Sequence, residues 1–311
     1  MPEMSPKDRR LGLLSEAPKA QGKEMIFVMN DYSLPRRIWR ILYPPLIFIG
    51  IQFIVMFFIA AAIVAAYGVQ AAIQGAPSLD LTTLADNLMR FVSEKSIIIV
   101  LISNIASFAL FLPIWLSTRK HAQPSVNLNP VALGLLVAGF FAGFNIVEMM
   151  IFGLTDIMRF FPSYNEVSDL LSGGSLVMQI ISVGVAAPVV EELVFRGILI
   201  SRMRWLPAWA AVLIQAALFG LVHMNLFQGL YAFLAGLLLG WVFVKYRSII
   251  MVIIGHMAYN LTSVLLGEFL DDKMAVFVLP LSAIVAVACI VALIRRDGAR
   301  GGEERETQAA T

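Results

Sequence analysis

The chain has 311 residues, of which 59% are hydrophobic and only 14% charged, where an average soluble domain is about 25% charged. With a mean hydropathy of +0.82, this composition excludes an ordinary soluble domain and predicts an integral membrane protein. The formal net charge of +2 gives no support to a nucleic-acid partner, and the single cysteine, Cys289, excludes an intramolecular disulfide.

Residues 1–37 are polar and mixed in charge and read as a cytoplasmic tail. No apolar core with a small-residue cleavage site lies near the start, so the first apolar run is expected to be an uncleaved anchor. Runs of about 20 apolar residues can cross the hydrocarbon core as helices. About eight are predicted, at 42–67, 96–117, 131–153, 175–203, 207–225, 228–245, 249–267 and 274–294. The expected fold is all-α, a polytopic transmembrane helical bundle whose short loops make neighbours antiparallel. The chain divides into N-terminal membrane helices (38–174), a core carrying polar motifs (175–267), a last helix (268–294), and a Gly- and charge-rich tail (295–311) that reads as disordered.

Lys and Arg concentrate in alternate loops: Arg36, Arg37 and Arg40; Arg119 and Lys120; Arg202 and Arg204; Lys245 and Arg247; Arg295 and Arg296. Acids occupy the opposite loops, with Asp80, Asp86 and Glu94, then Asp156, Glu166 and Asp169, then Glu268, Asp271 and Asp272. Because cytoplasmic loops are enriched in basic residues, both termini are expected in the cytoplasm.

The fourth span carries Glu191, Glu192 and Arg196. A carboxylate near the bilayer centre costs roughly 2.5–3.5 kcal/mol on insertion scales, so such residues are functional candidates by default. Glu192 and Arg196 are four apart and share a helix face, where they can neutralise one another. Glu191 points about 100° away, toward the bundle interior, where desolvation would suit it to act as a general base. His223 and Glu191 are equidistant from Pro207 and meet at one depth if spans four and five form a straight hairpin. His256 and Asn260, also four apart, project from one face of span seven and are suited to hydrogen-bond a carbonyl oxygen gaining negative charge. Phe219 is expected to pack under His223, Pro188 to loosen the backbone beside Glu191, and Cys289 to serve packing. Asn104, Asn145, Glu148, Gln179 and Gln215 are further intramembrane polar residues. Of these, Glu148 stands out as a second unpaired carboxylate.

Glu-Glu-x-x-x-Arg at 191–196, Phe-x-x-x-His at 219–223 and His-x-x-x-Asn at 256–260, in that order, resemble the CAAX-protease and bacteriocin-processing (CPBP, or Abi) family of intramembrane proteases. The resemblance covers about 175–267 and includes the Ras-converting CAAX endopeptidases of the endoplasmic reticulum. It implies that Glu191 is general base on a water held by His223, that His256 and Asn260 form the oxyanion site, and that Glu192 with Arg196 braces the helix. A metal-activated water is the alternative chemistry: Glu191, His223 and His256 could serve as three ligands of an open site for a divalent metal such as zinc, leaving Glu192 as the remaining base. The implied partners are the lipid bilayer and a membrane-associated peptide or protein substrate, prenylated or not. The location would be the plasma membrane of a bacterial host or the endoplasmic reticulum of a eukaryotic one.

His-Glu-x-x-His, Gly-x-Gly-Asp and rhomboid-type Gly-x-Ser-Gly signatures are absent. Two readings compete with peptide hydrolysis: an ion- or proton-coupled transporter using the same residues as a relay, and a non-catalytic scaffold or immunity-type protein. Against the first stands the lack of an internal repeat or paired broken helices. Against the second, every position of the pattern is filled.

Overall fold

The computed structural model of the protein describes residues 33–74, 80–118, 129–155, 157–172, 174–269, 277–278 and 280–295. Most of the two predicted tails lies outside these residues, as do Arg119, Lys120, Asp156, Asp271, Asp272 and Arg296.

Nine helices, one further 3₁₀ turn at Ile157–Phe160 and no strand occur among the described residues. The helices are α1 (Leu34–Ile73), α2 (Leu81–Thr118), α3 (Pro130–Thr155), α4 (Pro162–Ser172), α5 (Leu176–Ile200), α6 (Ala208–Leu221), α7 (Leu226–Tyr246), α8 (Ile249–Phe269) and α9 (Pro280–Arg295). Six of them, α1, α2, α3, α5, α7 and α8, are long and apolar enough to cross a membrane, whereas α6 and α9 are apolar but shorter. Large apolar side chains such as Phe57, Phe58 and Trp209 face outward, the reverse of a water-soluble surface. The protein is an all-helical integral membrane bundle.

Several boundaries differ from the hydropathy reading. α1 and α2 run for 40 and 38 residues, about 55–60 Å each at 1.5 Å per residue, well beyond the ~30 Å hydrocarbon core. Asp86 and Glu94 therefore lie on α2 and not in a loop, and Glu166 and Asp169 lie on α4. Hydropathy marks the lipid-facing part of a helix, whereas hydrogen bonding sets its end. At the start of α2 the Asp80 carboxylate accepts from the Thr82 backbone N–H at 3.0 Å, a capping contact that carries the helix into polar sequence.

The span expected at 207–225 is a 14-residue helix that ends before His223. Val222, His223 and Met224 continue the apolar pattern, but Met224 takes a left-handed φ of 54° and reverses the chain. Asn225 then caps α7, its Oδ1 accepting from the Gln228 N–H at 3.1 Å. His223 thus sits on a turn between α6 and α7, not on a helix.

This hairpin is closed by backbone contact. A Cβ placed on Gly220 would lie 2.5 Å from the Gly229 carbonyl oxygen, so only glycine permits the approach, in the manner of small-residue interfaces between membrane helices. α8 packs along α3, with Gly255 against Phe141. One apolar cluster gathers Phe48, Phe111, Phe195, Leu199 and Phe219, and a second gathers Val137, Phe141, Leu239 and Val252.

Candidate active site

α5 positions the paired glutamates through an irregular backbone. It runs as α-helix over Leu176–Gln179, π-helix over Ile180–Ala186, α-helix over Ala187–Glu192 and π-helix over Leu193–Ile200. Pro188 supplies a reason for the first irregularity. It has no N–H, so under the i→i+5 bonding of a π-helix the carbonyl five residues earlier, that of Val183, loses its partner. The Asn260 side chain from α8 donates to that carbonyl from Nδ2 at 2.9 Å. One amide N–H of Asn260 is therefore engaged in completing α5, and one remains.

Glu192 and Arg196 form the expected i, i+4 pair, Nη1 to Oε1 at 2.8 Å, with both side chains at 0% exposure. Arg196 Nη2 reaches the Gly236 carbonyl at 3.4 Å, and its guanidinium lies 4.5 Å from the centre of the Phe219 ring. Glu192 does more than neutralise the arginine. Its Oε1 also accepts from His256 Nδ1 at 2.7 Å, while the other nitrogen of that ring, Nε2, faces Glu191 Oε2 at 3.6 Å. The two carboxylates, 100° apart on α5, thus flank one imidazole. Glu191 retains 14% side-chain exposure where Glu192 has none, so the two acids occupy different environments.

His223 Nδ1 lies 2.7 Å from the Phe219 carbonyl oxygen. A carbonyl only accepts, so the neutral ring carries its proton on Nδ1 and a lone pair on Nε2. Phe219 packs edge-on against both imidazoles, with centroids 5.0 Å from His223 and 5.7 Å from His256.

Glu191, His223, His256 and Asn260 line one cavity of about 710 Å³, and Glu148 lines it with them. Glu148 is 6% exposed, and the Tyr259 hydroxyl donates to its Oε2. The sequence marked Glu148 as an unpaired carboxylate, whereas the structure pairs it with the Tyr259 hydroxyl. The overlooked signal was Tyr259 and Ser263, polar residues near Asn260 on α8. Among the described residues no three His, Cys, Asp or Glu side chains are grouped so as to hold a metal ion. Glu191, His223 and His256 share the cavity without closing on a common point, and each imidazole, held through Nδ1, leaves its Nε2 open. The arrangement can polarise a water between Glu191 and the free imidazole nitrogens, and can present N–H donors to an oxygen gaining charge.

Residues 173–262 match the family model described as type II CAAX prenyl endopeptidase Rce1-like. No curated protein and no solved structure matches the chain.

Proposed function

Through residues 173–262 the chain belongs to the CAAX-protease (CPBP) family, and from that premise we propose that it is an intramembrane endopeptidase in which Glu191 activates the attacking water. The observation that carries this reading is the His256 ring set between two carboxylates, 2.7 Å from Glu192 and 3.6 Å from Glu191, on the wall of a cavity that also receives His223 and Asn260.

Glu191 removes a proton from water as its oxygen attacks the scissile carbonyl, and returns that proton to the departing amine. His223, with Nδ1–H directed to Phe219, offers Nε2 as acceptor for the water's second hydrogen. Glu192 fixes the His256 ring through Nδ1, as the triad carboxylate does for its histidine. When protonated, Nε2 of His256 then donates to the carbonyl oxygen, and the remaining N–H of Asn260 adds a second donor. No step is routed through zinc, whose three expected ligands are not grouped to hold it. The permeable chelator 1,10-phenanthroline is expected to leave cleavage intact, and loss of cleavage reversed by added zinc would restore the metal reading.

The substrate is a membrane-associated peptide or protein, prenylated or not, met in the bilayer of a bacterial plasma membrane or of the endoplasmic reticulum. The test compares membrane-protein termini in cells expressing the wild type and Glu191→Gln at equal levels. New termini found only with the wild type are expected. Identical termini in both would overturn the proposal and favour the transporter or scaffold reading.

A further inference from the structure

The cavity extends beyond Glu191 and His256 into a second polar group. Asn145 and Glu148 lie one turn apart on α3 and both line the cavity, at 3% and 6% exposure. Asn145 donates from Nδ2 to Ser263 Oγ at 2.8 Å, and Glu148 Oε2 accepts from Tyr259. The side-chain oxygen of Asn145, Oδ1, and the second carboxylate oxygen of Glu148, Oε1, are buried without a hydrogen-bond partner. Two orphan acceptors one turn apart on α3 suit a group with several donors, and an ammonium brings three N–H and a guanidinium five. Among the described residues that line the cavity, Glu148, Glu191 and Glu268 are acidic and none is Lys or Arg.

We propose that Asn145 and Glu148 form a cation-accepting subsite, so that the preferred substrate carries a lysine or arginine within about two residues of the bond cut. The spacing comes from α8. Tyr259, the partner of Glu148, is three residues from His256, roughly 4.5 Å along the helix, and an extended peptide advances about 3.3 Å per residue. Asn145 Oδ1 and Glu148 Oε1 are both acceptors and would repel a free C-terminal carboxylate, so a basic side chain, and not a chain end, is the group the subsite receives. This inference rests on the peptidase reading of the cavity.

The experiment uses the full chain in lipid nanodiscs and two membrane-partitioning peptides that differ only in lysine or its uncharged isostere norleucine near the scissile bond. The wild type is expected to favour the lysine peptide by about tenfold or more in kcat/KM, mainly through KM. Glu148→Gln brings that ratio toward one, and Glu148→Asp, which keeps the charge, retains part of it. Glu191→Gln abolishes cleavage of both peptides. A wild-type ratio of one that Glu148→Gln does not move overturns the subsite and leaves the peptidase reading standing. If neither peptide is cut, equilibrium binding of the same pair decides. Preference for lysine lost in Glu148→Gln supports the subsite while the peptidase reading fails, and equal binding overturns the subsite. A preference that appears only after sodium is replaced by choline would assign the acceptors to an inorganic cation, and would also overturn it.

Discussion

Neutralising Glu191 and neutralising Glu192 are chemically the same change, yet the two should fail in opposite ways. Glu191→Gln removes a carboxylate with no short partner, so kcat should fall by about 10²–10⁴, the usual worth of a positioned general base, while the melting temperature stays near that of the wild type. Glu192→Gln leaves the Arg196 guanidinium fully buried beside a neutral group, a change that costs about 3–5 kcal/mol. Thermal unfolding in detergent should show this as a large loss. Adding Arg196→Met to Glu192→Gln should recover much of it, because the uncompensated charge is gone. A melting temperature unmoved by Glu192→Gln would mean that the pair carries no stability. Helical spacing made the Glu192–Arg196 contact legible, since four residues return to the same face. It did not reveal that His256, 64 residues away, shares the same oxygen, because spacing reports on one helix and that contact joins two.

α5 and α8 are joined by the Asn260–Val183 hydrogen bond as well as by Glu192–His256, and the first of these completes the α5 backbone. Asn260→Ala removes both this brace and the proposed oxyanion donor, and should lower activity and stability together. Pro188→Ala restores a backbone N–H to α5, so the stability loss of Asn260→Ala should shrink in the double variant. A double-mutant cycle read by melting temperature measures the coupling, and simple additivity would refute it. If activity stays low while stability returns, the remaining defect belongs to the lost donor. In the α6–α7 hairpin, Gly220→Ala forces a methyl against the Gly229 carbonyl and should cost about 1–3 kcal/mol, again read as a fall in melting temperature. Pro188 flagged the disturbance in α5 from sequence alone. Its outcome, two π-helical segments around the six α-helical residues Ala187–Glu192, was not legible, because whether a helix widens depends on what packs against it.

At the scale of the molecule, the hydropathy pattern was a reliable guide to an all-helical membrane bundle and to which segments carry polar residues. It misjudged extents, making α1 and α2 too short and α6 too long, because apolar sequence continues through the 222–225 turn. That turn has a topological consequence. α6 rises only about 21 Å over its 14 residues, short of the ~30 Å core, so His223 should sit at membrane depth while 201–207 and 247–248 share one side. Met224 is 70% exposed on the turn. A Met224→Cys variant in a Cys289→Ser background should resist a membrane-impermeant maleimide in intact cells and react after solubilisation. Labelling in intact cells would show that the hairpin crosses completely.

The π-helical stretch at 193–200 also bears on how the gene can change. A turn bonded i→i+5 holds one residue more than an α-turn, so losing a single codon at 198–200 would restore the ordinary helical repeat while leaving the spacing from Glu191 to Arg196 intact. The same loss in α8 between His256 and Asn260 would swing one of them by about 100° away from the other. Length variation should therefore be tolerated just after the glutamates and not between the residues that face them.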